Sequence, residues 1–395
     1  MNPTPTKNMF ASFFCVCLMT GCTPAPNVPL VEQTQSVRKS LIENTNSYLS
    51  NPDDEMANGF WNQAVTMVGR EDLLHTSAMP LGSSSAPVCV GDSEDIIGKL
   101  VEAASQTSIV IINENHARPQ DRTFVWTLAR ALRDAGFTHY AAEAFTDQTP
   151  LRASGVTMVD DGYYTQEPVF GRLLQDVRSM GYTLVAYEQT KEQAAPDDAN
   201  FMLQIEAREK AQVENLLANL LRKNPGVRVL IHVGHSHVAE RPVPMGAAGS
   251  IEWMAARLKA ATGIDPLTIS QTACEASGSV PVLSTSYLTV DGKTSDGFTD
   301  YLVGLPAVTF KNSRPDYRRR MGDQEIEVPI SLVPVLDLVV IEARRPAEDE
   351  GAVPIERLYL RPGERIPLML PQGRFEISSF DKKGRVTGPV SLTVD

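Results

Sequence analysis

Five short apolar runs punctuate the middle of the chain: Ser108 to Ile112, Tyr140 to Ala142, Thr183 to Tyr187, Val227 to Val233 and Leu267 to Ser270. They are rich in branched aliphatic residues and show little polar alternation, the pattern of strands covered on both faces. Between them apolar residues recur three and four positions apart. Arg122 to Ala135 carries Phe124, Leu128, Ala131 and Leu132 and stops at Gly136, as a helix closing on a glycine does. Val169 to Met180, Asp198 to Lys223 and Ile251 to Ala261 read as helices in the same way. This alternation predicts an α/β fold: a mostly parallel sheet with helices on both faces.

The flanks read differently. Residues 22–35 are rich in Pro, Thr and Gln and read as a tether, because such a composition buries too little apolar surface to offset ordering. Residues 36–88 carry broken helical patterning and read as a helical extension packed on the α/β domain of residues 89–279. From 280 to 395, short β-branched and aromatic runs alternate with turn pairs such as Pro362-Gly363 and Lys383-Gly384, which predicts a small all-β, sandwich-like accessory domain.

Of the 395 residues 42% are hydrophobic and 21% charged, an ordinary globular balance. The net charge of -12 repels phosphate backbones, so no nucleic-acid partner is expected. The triple Arg318-Arg319-Arg320 reads as a solvated loop. Lys7 precedes an apolar stretch from Met9 to Met19, the length of a secretion signal core rather than a membrane span. The following Leu18-Met-Thr-Gly-Cys22 resembles a bacterial lipobox. That resemblance implies a signal peptide over 1–21, lipidation of Cys22, a membrane anchor, and a cell-envelope protein on the outer membrane facing the periplasm. Cys89 and Cys274 are then the cysteines left to pair in an oxidising compartment, with two buried thiols as the alternative.

Four strand candidates end in ionisable residues: Glu114 and His116 after the first, Glu143 after the second, Glu188 after the third, His235 and His237 after the fourth. Parallel strands deliver their carboxyl ends to one edge, so these residues should converge there. Crowded carboxylates supply a general base, and imidazoles with carboxylates form a ligand set for a divalent metal, Zn or Mn, at Glu114, His116, His235 and His237. His232, inside its strand, reads as a core histidine.

The pattern Asn113-Glu-Asn-His116, Ala142-Glu143-Ala-Phe145 and Gly234-His-Ser-His237 resembles the superfamily joining erythromycin esterases, ChaN-like haem-binding lipoproteins and TraB/Tiki proteins. Arg208-Glu209 on a long helix resembles the esterase branch. The resemblance implies a cell-envelope hydrolase, esterase-like or a metal-dependent peptidase, with a small-molecule or peptide substrate. In it Glu114, His116, Glu143, Glu188 and His237 would handle water or metal, and Arg208 would neutralise an oxyanion. The ChaN branch implies instead a haem or iron binder with Tyr163 and Tyr164 as candidate ligands. A third reading is an inactive scaffold.

Overall fold

The computed structural model describes residues 28–51, 55–76, 87–152, 154–289 and 292–395. The signal segment and Cys22 lie outside them. Two helices open the described chain, α1 (Leu30–Ser50) and α2 (Glu55–Met67). The end of the expected tether is therefore helical, with Glu32 in the first turn of α1 and Leu41, Ile42 and Tyr48 buried. No helix among the described residues is long and apolar enough to cross a membrane.

The fold is mixed α/β. Its main sheet contains β1 (Ile109–Glu114), β2 (His139–Ala142), β3 (Thr183–Ala186), β4 (Val229–Gly234), β5 (Leu267–Ser270), β6 (Val282–Ser284) and β7 (Tyr301–Gly304), in the order β3-β2-β4-β1-β5-β7-β6. The pairs from β3 through to β7 are parallel, and β6 closes the edge antiparallel. The sheet thus runs past residue 280 and draws β6 and β7 out of the expected accessory region.

Alternation along the strands sends side chains to two different helical layers. Val110, Ile112, Tyr140, Ala142 and Leu230 pack with α3 (Ile96–Ala104), α4 (Gln120–Asp134) and α5 (Pro168–Ser179). Ile109, Ile111, Ala141, Val229, Ile231 and Val233 pack with α6 (Phe201–Leu216) and α7 (Met254–Thr262). Side-chain caps start three of these helices: Asp95 accepts from Gly98 N (3.1 Å), Glu167 from Val169 N and Phe170 N (2.8 and 2.9 Å), and Asn200 from Leu203 N (3.1 Å).

Beyond β7 come β8 (Gln324–Ile326), β9 (Val339–Arg344), β10 (Glu356–Leu360), β11 (Leu368–Leu370), β12 (Gly373–Asp381) and β13 (Gly384–Val394). A four-stranded antiparallel sheet of order β10-β9-β12-β13 and the β8·β11 ladder share one apolar core. Cys89 and Cys274 are joined by a disulfide, their Cα atoms 5.2 Å apart, beside β7.

Buried charges join this region to the rest. Glu342 of β9 receives Arg38 of α1 (2.8 Å), Arg344 (2.8 Å) and Arg357 (3.0 Å), and Arg38 also lies over the Phe380 ring. Burial pushes the Glu342 carboxyl upward, but the three guanidiniums hold it well below the usual range. Arg318 is also buried, against Glu356 and Asp323 (both 2.6 Å), and Arg172 of α5 reaches the same Asp323 (2.8 Å). The arginine triple is therefore not a solvated loop: its first member is a buried tie, placed by a short helix over Asp316–Arg320.

Glu71 is buried and accepts from Tyr317 Oη at 2.7 Å. Burial pushes its carboxyl to about 7, with the Glu167 charge adding to the rise while the Tyr317 bond, Arg314 and Arg318 oppose it. The folded state holds this proton more tightly than the unfolded chain, so stability falls as pH climbs from the ordinary carboxyl range to about 7. Glu71→Gln keeps the acceptor without the charge. We expect it to raise the thermal midpoint at pH 8, by up to about 3 kcal/mol of stability, and to leave it nearly unchanged at pH 4. Thermal denaturation at both pH values checks this.

Candidate active site

The site straddles the carboxyl edge of the sheet, one half supplied from each helical layer. Strand register sets the level: Glu114 at the end of β1 lies beside Gly234 at the end of β4, and Glu143, just past β2, donates its backbone N–H to His232 O at 3.0 Å.

On the α4/α5 side, Arg122 in the first turn of α4 points back to the end of β1. Its Nε and Nη2 donate to Glu114 at 2.8 and 2.7 Å, and its Nη1 donates to Glu167 at 2.9 Å. Glu114 also takes the His116 Nδ1 proton at 2.9 Å. Burial pushes Glu114 upward, yet Arg122 and then His232 hold it well below its ordinary value. The His116 ring is buried and stacked face to face on Tyr164, centroids 3.7 Å apart and planes within 11°. With Nδ1 committed to Glu114, Nε2 faces Gly234, where an added Cβ would overlap it and come within 3.1 Å of Glu143 Oε2.

On the α6/α7 side, Glu143 Oε2 accepts from Gly234 N and Oε1 accepts from Arg208 Nη2, both at 2.6 Å. Arg208 also reaches Glu188 through Nε (3.0 Å) and Nη2 (2.6 Å), and Gln212 Nε2 donates to Glu188 at 3.1 Å. The next residue on α6, Glu209, is buried. It accepts from His237 Nδ1 (3.0 Å) and from Met254 N (2.7 Å), the first N–H of α7. His237 Nε2 then lies 3.6 Å from Glu143 Oε1 and 3.4 Å from Arg208 Nη1. Burial pushes the His237 imidazole down, but the Glu209 and Glu143 charges leave it above its ordinary value. Glu143 itself is drawn far below the usual range by His237, Arg208 and His116, against its burial.

The structure thus brings Glu114, His116, Glu143, Glu188, Arg208 and His237 to one edge. His235 is there too, its ring 5.5 Å from that of His116, on a backbone with φ of +31°. Burial and the neighbouring His116 push it down to about 4. Asn113 orders this turn, donating to His235 O at 2.6 Å and to Thr272 Oγ1 at 2.9 Å. Sequence reasoning missed Arg122, Glu167 and His232. Of these, Arg122 carried a usable signal, since a cation in the first turn of a helix opposes the helix dipole and calls for a local anion.

Among the described residues no group of three or more His, Cys, Asp or Glu side chains is arranged to hold a metal ion. Tyr164 is packed on His116 and Tyr163 sits half-buried against the core, so the pair is part of the wall rather than an open platform for haem.

No family model and no curated protein matches the chain. Solved structures similar to it include RRSP, a MARTX toxin effector domain from Vibrio vulnificus, at 17% identity, covering 66% of this chain and 48% of that one with a TM-score of 0.31. They also include the type III effector HopBA1, at 15% identity, 57% and 100% coverage and a TM-score of 0.32. The C-terminal region of Pasteurella multocida toxin follows at 10% identity, 87% and 52% coverage and a TM-score of 0.35. The chain spans about half the length of the first of these structures. These findings correct the superfamily expectation: the matches are bacterial effector domains, not erythromycin esterases, ChaN-like or TraB/Tiki proteins, and similarity at this level fixes neither activity nor substrate. The esterase and haem-binding readings, which rested on that resemblance, lose its support.

Gly234 is where the two halves touch. Gly234→Ala is expected to displace the His116 ring and to cost about 1–3 kcal/mol, the usual range for overpacking. Gly278→Ala, with open space at its Cβ, should stay within about 0.5 kcal/mol of the parent. Chemical denaturation of both variants makes the comparison.

Proposed function

We propose that the protein is an enzyme working by general acid–base catalysis, with His116 as base and His237 as acid. One observation carries this: each imidazole gives its Nδ1 to a buried carboxylate, which leaves His116 Nε2 facing Gly234 and His237 Nε2 beside Glu143. A carboxylate behind an imidazole fixes its tautomer and supports the cation formed on proton uptake. The Nε2 lone pair of His116 would accept the proton of an attacking water or hydroxyl. His237, kept protonated above its ordinary range, would deliver a proton to the departing group, and ionised Glu143 would hold both rings in electrostatic register.

The substrate group we infer is polar and uncharged. Arg122 and Arg208 are already bound to two glutamates each, so an incoming anion would have to displace a carboxylate already paired there. This reading takes the mostly parallel sheet as the catalytic body and the sandwich-like antiparallel region as its support, tied on through Glu342 and Glu356.

A panel of uncharged polar substrates, each carrying a leaving group, tests the proposal. We expect turnover of at least one class, lowered about 10²- to 10⁴-fold by His116→Ala and by His237→Ala, with unchanged circular dichroism. Turnover that survives both substitutions refutes the assignment. Glu209→Gln removes the charge that keeps His237 protonated. The basic limb of the pH–rate profile should therefore move to lower pH.

A further inference from the structure

The two most exposed large apolar side chains among the described residues are neighbours: Leu336 and Val335, 86% and 83% exposed, in the segment that leads into β9. The fold, not a slack chain, puts them there. Leu332 and Pro334 just before them are buried, and Leu338 just after them packs against the main core, which leaves the pair at the turn between two anchors. Strand register fixes the place. Val340 of β9 lies opposite Phe380 of β12, so the start of β9 and the β12–β13 turn share one end of the antiparallel sheet. That turn is Lys382-Lys383, both exposed. The first helix meets the same end: Gln35 of α1 donates its Nε2 to Lys382 O at 3.3 Å, Arg38 lies over the Phe380 ring, and Val31, one turn before Gln35, is exposed.

We propose that this end of the sheet rests on a lipid bilayer, with Val335 and Leu336 among the acyl chains and Lys382 and Lys383 at the headgroups. Lysines beside a bare apolar pair can keep their stems on the apolar side and their ammonium groups at headgroup phosphates. On a chain of net charge -12, a local lysine pair also marks a face that anionic headgroups accept. Asp337, exposed next to Leu336, limits the depth, because its carboxylate cannot leave water unpaired. A second copy of the chain fits the patch poorly: a stable interface takes roughly 800 Å² from each partner, well beyond what two side chains can bury. The chain before the described residues favours the same orientation. A lipid on Cys22, expected from the sequence, would lie eight residues before Leu30, a reach of at most about 28 Å. The inference is independent of the acid–base reading.

The test uses the full chain carrying Leu336→Trp, mixed with vesicles of phosphatidylcholine and phosphatidylglycerol whose acyl chains are brominated near the headgroup, which quenches any indole that enters the bilayer. After subtraction of the parent signal from its three tryptophans, emission of the added indole should move to shorter wavelength and fall at least about twofold against unbrominated vesicles. Val280→Trp, at an exposed position between β5 and β6, should show neither change. Val335→Trp reads the same face and carries the test if Leu336→Trp does not fold. An indole at 336 that stays bright in brominated vesicles while the protein floats with them overturns the inference, since the segment before residue 28 then holds the membrane alone. A protein that does not float with the vesicles overturns it as well. So does a blue shift that appears without vesicles and grows with protein concentration, which assigns the face to a second copy instead.

Discussion

The Glu114–Arg122 ion pair is the contact on which the site depends. Both groups are buried, and an ionised carboxylate in that position is tolerable only because a guanidinium grips both of its oxygens and two imidazoles stand beside it. The pair does several structural jobs at once. It closes the end of β1, sets the direction of α4, gives His116 its tautomer and, through Glu167, ties the start of α5 to the same edge. Losing either partner would strand a charge in the core, so the local backbone and the chemistry are specified together.

The second half of the site repeats this logic on the opposite face of the sheet. Glu209 satisfies the first N–H of α7 and orients His237, while Arg208, one residue earlier, gathers Glu143 and Glu188. Successive residues on α6 thus hold the two sides of one centre. The halves meet at Gly234 because only a residue without a side chain lets His116 approach the β4 backbone while Glu143 accepts from its N–H. Each face of the sheet supplies one of the carboxylates that hold the imidazoles, Glu114 on the α4/α5 side and Glu209 on the α6/α7 side.

The region after residue 320 supports this body through charge as well as apolar burial. Glu342 collects arginines from α1, β9 and β10, and Glu356 collects Arg314 and Arg318. Periodicity could not reveal these ties, because arginine in a sequence looks the same whether it is solvated or encircles a buried glutamate. The reading of Arg318 failed for that reason. The extension of the sheet through β6 and β7 was hidden for a related one: strands of three and four residues in a turn-rich stretch match a separate β domain as well as they match an edge of the main sheet.

The sequence alone determined the strand–helix alternation, the five central strands to within a residue or two, and the ionisable residues at their carboxyl ends. These are local properties, set by β-branched runs, helical spacing and the polar residue that ends a buried strand. Tertiary structure alone decided which charges pair. Arg122 joins Glu114 and Glu167 across 8 and 45 residues, Glu209 reaches His237 across 28, and His232 Nε2 comes within 3.1 Å of Glu114. Pairing of buried charges depends on distances of about 3 Å in a medium of low polarity, and no spacing along the chain encodes such distances until the sheet has brought its strand ends to one edge.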